Sequence, residues 1–487
     1  MLFNSQIFIF IFLPIVLISY YGLHKLGVHT LAKAALIIAS FIFYGYNHPV
    51  YLLILLCSIA GNYGAYLLLR KIEKGRSVVA TIAVVANIAV IFYFKYFNFF
   101  ITNTNRFLGT DWIVRNILLP LGISFFTFQQ VSFIVDAYRG ETGDYGLVDY
   151  ALFVSFFPQL VAGPIVLHNQ LISQFQDKSR YKLDWNRMGE GIRYFVIGLF
   201  KKTMIADAWG RIADLGYAGE VAWDSPSAIL IILAYTLQIY FDFSGYSDMA
   251  IGLGKMLGFE LPKNFDMPYK AKDISEFWKR WHMTMTGFFT KYVYFPLGGN
   301  RKGKIRTYIN TMIVFAVSGL WHGAGWSFVE WGMLHGGALC FHRMFREKIG
   351  RLPKVITGAV TFIFVNIAWV LFRAEGIYQA RMMLKRAVTG GISDTFPLLC
   401  KAFAGSNFAT LLKYIPGDVS GVISGFNLSY TIAGLVVSLL IVFLAPSSHE
   451  IAVRKEIKVW EGPVFALMAI ISIMTFMNVS TFLYFNF

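Results

Sequence analysis

Apolar runs of roughly 20 residues, the length that spans a bilayer, recur along the chain between short basic clusters. The first run, about 6–23, has no charge before it and Lys25 and Lys33 after it, which predicts a transmembrane helix with its N-terminus outside. The second, about 35–46, is short and ends at Asn47-His48-Pro49. A third returns to Arg70-Lys71 and Lys74-Gly75-Arg76, a cytoplasmic signal. A fourth, about 78–100, holds Lys95 near its end, where a long side chain snorkels to the interface. Later spans fall at about 227–243, 355–372, 428–444 and 464–484. Drawn this way the pattern predicts an all-α polytopic membrane protein of about 11 or more spans. The N-terminus lacks a basic n-region and a small-residue cleavage site, so the first run reads as a retained helix.

Three interruptions carry more information than the spans. In 119–141, Gln129, Gln130 and Asp136 are costly to expose to lipid and should face a bundle interior or an aqueous cavity, either as interhelical hydrogen bonds or as a lining. Residues 150–168 are broken by Pro158-Gln159 and Gly163-Pro164 between two basic flanks, which predicts a broken or re-entrant segment. Around 241–248, Asp242 and Asp248 suggest acid-base chemistry, a cation site, or a structural or tunnel-lining role. A spacing of six puts them on different faces of a helix unless it breaks at Gly245.

The most polar stretch is 262–306, with Lys270, Lys272, Lys279, Arg280 and Lys291 among its cations. Asp273 or Ser275 is a candidate N-cap, and Phe277, Trp278, Trp281, Met285 and Phe288 supply one apolar face. This predicts a basic, aromatic amphipathic helix on the cytoplasmic side with His282 inside it.

Residues 315–336 read FAVSGLWHGAGWSFVEWGMLHG, with titratable side chains deep in an apolar run. Basic flanks at 301–306 and 343–354 leave about 36 residues to go out and return, fewer than the roughly 40 of two full crossings. Gly323 and Gly325 mark the apex, so His322 is expected at membrane depth. His322, His335 and His342 lack HxxxH or HExxH spacing and have only Glu330 nearby, so no metal is expected. No GxSxG elbow or Walker A loop is present. A neutral imidazole suits proton removal from a hydroxyl, which points to acyl transfer to an alcohol.

Composition agrees with a membrane protein: 56% of the 487 residues are hydrophobic, 14% are charged, and mean hydropathy is +0.57. The net charge of +16 follows the ends of the spans, as the positive-inside effect requires, and does not indicate nucleic acid. Cys57, Cys340 and Cys400 are too scattered for a disulfide framework or zinc site. No internal repeat is visible, and the chain reads as a single membrane domain with N-terminal helices at 1–140, a catalytic core at 141–345 and C-terminal helices at 346–487.

The motifs LPLGISFFTFQ (119–129), FFPQLVAGPI (156–165), FDFSGYSDMAIGLGKMLGFELPKNFDMPY (241–269), FWKRWHMTMTGFFTKYVYFPLGGNRKG (277–303), GLWHGAGWSFVEWGMLHG (319–336) and the terminal FLYFNF run nearly end to end. In this order they resemble the membrane-bound O-acyltransferases, specifically the bacterial alginate O-acetyltransferase branch that modifies polysaccharide or peptidoglycan. The branch that D-alanylates teichoic acid is similar through the middle, but PLGGNRKG and the C-terminal part fit the alginate type better. Residues 385–425 match nothing recognisable.

The resemblance implies a ring of helices around a central tunnel. It implies catalytic roles for His322, the WHG histidine, and His282, the RWH histidine. His322 would act as general base on an acceptor hydroxyl, or on a relay residue of a partner, and His282 would position or polarise the donor at the tunnel mouth. Trp321 and Trp326 would shape the channel, Asp248, Gln129 and Gln159 would line it, and His335 would take a mainly structural place beside it. Lys279 and Arg280 would meet the donor at its entry. The donor would be acetyl-CoA or another acyl thioester, with no bound cofactor. Expected partners are an extracytoplasmic SGNH-type acetyltransferase or other export-complex protein, a polysaccharide acceptor and membrane lipids, at the cytoplasmic (inner) membrane. D-alanyl transfer, a lipid or polysaccharide flippase, and an export scaffold are the competing expectations.

Overall fold

The structure, a computed structural model, describes residues 1–406, 426–454, 456, 458–475 and 482–483. Among them every regular element is helical and no strand occurs. Among the described residues six helices are long and apolar enough to cross a membrane: Phe8–Lys25, Val50–Lys71, Arg76–Leu108, Ser225–Met256, Lys354–Arg373 and Asn427–Leu444. His29–Gly45, Thr395–Ala404 and Glu461–Met474 are apolar but shorter. The remainder of the about eleven or more spans drawn from hydropathy fall on shorter or less apolar helices, the last of them partly outside the described residues. A helix packed on protein need not be apolar all round or of bilayer length. Much of the unrecognised 385–425 stretch, and residues 476–481 of the last expected span, lie outside the described residues.

The chain forms two compact units, residues 1–195 with 249–262, and residues 196–248 with 263–487. Their edges do not coincide with the expected subdivisions at 140 and 345. Two of the three edges fall inside the continuous helices Trp185–Phe200 and Ser225–Met256, and the third lies in the connection after Met256.

In the first unit, buried polar groups are joined between helices. Gln130 donates to Ser58 Oγ at 2.6 Å and accepts from Tyr150 Oη at 3.0 Å. Asn62 and Asn87 bond reciprocally at 3.2 and 2.7 Å. Asp136 and His168 lie 3.2 Å apart. Gln130 and Asp136 thus behave as interhelical partners. The expected break in 150–168 is present: Leu147–Ser155 stops at Phe156 (ψ 104°) before the short turn Phe157–Leu160.

In the second unit the Ser225–Met256 helix runs unbroken through Gly245. A Cβ there would lie 2.7 Å from the Gly198 carbonyl oxygen, so the glycine serves close helix approach and not a break. Asp242 and Asp248 therefore face apart, and each meets its own lysine. Lys202 Nζ lies 2.6 Å from Asp242 and 2.9 Å from Asp207, while Lys201 Nζ lies 2.7 Å from Asp248. The adjacent lysines begin a π-helical turn, Lys201–Ala206.

The 315–336 stretch forms the turn of a helical hairpin, Gly303–His322 and Trp326–Met344. Its arms of 20 and 19 residues are each about 30 Å long at 1.5 Å per residue, so each matches a bilayer core. The count between basic flanks made them look too short, because the arms begin within those flanks. Three glycines set the crossing. A Cβ on Gly319 would lie 2.2 Å from the Phe328 carbonyl oxygen, and one on Gly332 would lie 2.2 Å from that of Phe315. At Gly323 it would lie 2.1 Å from the Phe328 ring. Gly319→Leu is expected to force the arms apart and destabilise the protein by about 1–3 kcal/mol, read as a lowered thermal midpoint of the detergent-solubilised protein.

Candidate active site

The site is built in the second unit where two helices stop. Asp273 caps Ile274–Arg280 by accepting the Glu276 N–H at 2.8 Å, as its position predicts. The helix ends at Trp281, His282 adopts a left-handed backbone (φ 45°), and Met283–Phe289 follows. The expectation of one continuous amphipathic helix is corrected here. Asn264 supplies the hydrogen bonds that break it. Its carbonyl accepts the Met283 N–H at 2.9 Å, and its side-chain oxygen accepts the Thr284 N–H at 3.3 Å and hydroxyl at 2.9 Å. A left-handed non-glycine residue costs about 1–3 kcal/mol, a strain retained where surroundings enforce it.

The break brings His282 to His322, the last residue of its arm. Their ring centroids lie 6.4 Å apart, and the residues are 0% and 2% exposed. Trp321 stands 6.0 Å from His282 and 4.8 Å from His322. Trp331 and Phe372 approach His322 at 5.1 Å each, and Phe243 meets His282 edge-on at 4.8 Å. His282 Nδ1 lies 3.1 Å from Asn264 Oδ1, while its Nε2 is buried without a hydrogen-bond partner among the described residues. Burial lowers the His282 pKa and favours the neutral ring. Phe482 packs on Phe243 and Tyr246 at 5.7 and 4.6 Å, and the Leu483 N–H donates to Asp242 at 2.7 Å. The rest of the terminal motif lies outside the described residues.

Lys279 and Arg280 lie just before the break. They line a basic cleft of about 770 Å³ with Lys272, Arg343, Arg346 and Lys354. Arg280 is held by Glu276 at 2.8 Å. Trp331, against His322, precedes Arg343 by twelve residues on one helix, about 18 Å along its axis. His282 itself follows Arg280 by two residues, so it stays close behind that mouth, as the sequence reading set it. A second cavity of about 290 Å³ shares Ser275, Lys279 and Arg343 with the cleft. It extends past Trp278, Phe289 and Phe315 to Ser318, one turn before His322. The hydroxyls of Thr286 and Ser318 in its wall are buried without hydrogen-bond partners among the described residues.

The other expected residues sort differently. Trp326 is 53% exposed at the start of its arm, and Trp331 takes the place beside His322 that the sequence reading gave it. The Asp248 carboxylate is engaged by Lys201. Gln129 and Gln159 are buried in the first unit, where Gln159 donates to the Phe153 carbonyl at 2.7 Å. His335 accepts the Trp278 indole N–H at its Nδ1 (3.2 Å) among aromatic rings. Among the described residues, no three His, Cys, Asp or Glu side chains cluster for a metal. Sequence reasoning missed Asn264 and Trp331. The signal for Trp331 was its i,i+4 relation to His335; for Asn264 it was only a turn-forming residue before Asp266 and Pro268.

A family model for the membrane-bound O-acyltransferases matches residues 69–379. The peptidoglycan O-acetyltransferase of Helicobacter pylori is 39% identical over 420 residues, covering 80% of each chain. A protein of Azotobacter vinelandii named "Probable alginate O-acetylase AlgI" is 40% identical, over 87% of this chain and 85% of its own. The teichoic acid D-alanyltransferase of Bacillus subtilis is 26% identical over 54% of this chain and 71% of its own.

His335→Phe would leave the buried Trp278 N–H without an acceptor and is expected to cost about 1–3 kcal/mol of stability. Thermal unfolding and acyl transfer per folded molecule check this, with a smaller activity loss expected than for His322→Ala.

Proposed function

This chain belongs to the membrane-bound O-acyltransferase family, and on that premise we propose that it moves an acetyl group from a cytoplasmic acyl thioester across the membrane for O-acetylation of an exported cell-envelope polysaccharide. It is an acyltransferase and a multi-pass membrane protein. The observation that carries the proposal is the buried His282–His322 pair behind a basic cleft that Lys279 and Arg280 line.

That layout suits a donor with a charged end and a long arm, such as acetyl-CoA. Phosphates would meet Lys279, Arg343 and their neighbours, and the arm would follow the second cavity past Thr286 and Ser318 to the histidines. His322, as general base, takes the proton of the acceptor hydroxyl while its oxygen attacks the thioester carbonyl. The carbon–sulfur bond breaks, and the thiolate leaves with the proton that His322 returns. His282 stands beside the reacting groups. The acceptor is a polysaccharide hydroxyl, or a relay on an extracytoplasmic SGNH-type acetyltransferase, and the enzyme sits in the cytoplasmic membrane with its N-terminus outside. Two relatives whose names specify O-acetylation, at 39–40% identity over 80–87% of this chain, favour acetyl over D-alanyl transfer. A flippase without chemistry gives the histidine pair no task.

Purified protein incubated with labelled acetyl-CoA and acceptor is expected to transfer label. His322→Ala should lower transfer by about 10²–10⁴-fold, and wild-type transfer by that variant would refute the assignment. Lys279→Ala with Arg343→Ala is expected to raise the donor KM more than it lowers kcat, measured in the same assay.

A further inference from the structure

Which nitrogen of His282 carries hydrogen is decided by one amide. Asn264 Oδ1 lies 3.1 Å from His282 Nδ1. The same atom receives the Thr284 backbone N–H at 3.3 Å. A backbone N–H only donates, so the amide atom facing both groups is the oxygen, which only accepts. The Asn264 nitrogen, turned the other way, donates to Ser247 Oγ at 3.3 Å. An oxygen opposite Nδ1 requires a hydrogen on Nδ1. A neutral imidazole has only one N–H, so Nε2 keeps its lone pair. That nitrogen is buried and has no hydrogen-bond partner among the described residues. His335 has the opposite arrangement: the Trp278 indole N–H, which only donates, points at its Nδ1, so its hydrogen is on Nε2.

Asn264 also fixes where the ring stands. Its backbone carbonyl holds Met283, next to His282, and its side chain holds Thr284. Ser247 ties it to the long buried helix Ser225–Met256. The rings around His282 belong to Phe243, Phe265, Trp321 and His322, and of these His322 is the titratable one.

We propose that Asn264 is a positioning residue for acyl transfer, locking His282 as the Nδ1–H tautomer so that Nε2 is a lone-pair acceptor for a substrate O–H or N–H. The inference rests on the acyltransferase reading of the site and deepens it. Neutral His282 then holds or receives a hydrogen and does not polarise the thioester carbonyl, a task that needs a hydrogen on Nε2.

The test uses the full-length protein in detergent or nanodiscs with labelled acetyl-CoA. Asn264→Leu removes the acceptor and is expected to lower kcat about 10–100-fold with little change in donor KM. Asn264→Asp keeps the acceptor and adds a charge that stabilises the imidazolium. Because the neutral ring is the working form, the acidic limb of the pH–rate profile should move to higher pH, with a smaller loss of kcat than in the leucine variant. A purely structural asparagine would leave that limb in place. Nitrogen NMR of ¹⁵N-histidine-labelled protein, with His282 signals identified by their absence from His282→Gln, should show an unprotonated Nε2. A protonated Nε2, an unmoved acidic limb in Asn264→Asp, or wild-type kcat in folded Asn264→Leu would overturn the proposal. Absence of transfer by the wild-type protein would instead defeat the acyltransferase reading, and the NMR result would still decide the tautomer.

Discussion

A polar group inside an apolar bundle must find a partner within the protein, because lipid offers none. This constraint accounts for much of what is observed. Asp242 and Asp248 each take a lysine, Lys255 takes Glu190, and Gln130 and the Asn62–Asn87 pair bridge helices. Each such bond fixes the rotation of a helix more tightly than apolar contacts alone. Against that background the unmet groups stand out. His282 Nε2 and the hydroxyls of Thr286 and Ser318 are three of them, and the two hydroxyls line the cavity that leads from the basic cleft toward the histidines. Under the acyltransferase reading proposed above, a substrate's own polar groups would meet these three atoms.

The second requirement is rigidity where chemistry is to occur. Gly319 and Gly332 let the two hairpin arms touch backbone to backbone, so the end of the first arm has little freedom. Trp321, Trp331 and Phe372 then close around the His322 ring. His282 is held by a strained backbone and by Asn264. One histidine is placed by packing and the other by hydrogen bonds, and the two meet from unrelated parts of the chain. Catalytic groups that must hold a proton in a fixed direction gain from such support.

Much of this was legible beforehand. The hairpin turn at Gly323 and Gly325, the Asp273 cap and the interruption near Phe156 each follow from local chemistry, and each is present. The histidine motifs, read through their resemblance to a family, pointed to the two residues that the structure brings together. The failures share a cause. The helix through 274–289 looked continuous because its apolar period runs across Trp281-His282; the break is imposed by Asn264, about twenty residues away. Trp326 and Trp331 are equally prominent in the sequence, and only the packing of the arms decides which one turns inward. For Asp248 a structural or lining role was expected, and nothing local indicates that Lys201 is the residue that reaches it.

The sequence by itself therefore determined the solvent, the helical class and the inventory of reactive groups. Hydropathy, charge at span ends, caps and glycine turns act over a few residues and can be read in order. Tertiary structure alone decided that His282 lies beside His322, that Asn264 faces its Nδ1, and that the two aspartates are ion-paired. Those outcomes depend on hydrogen bonds and ring contacts between segments far apart in the chain. No periodicity within a segment encodes the partner it will meet.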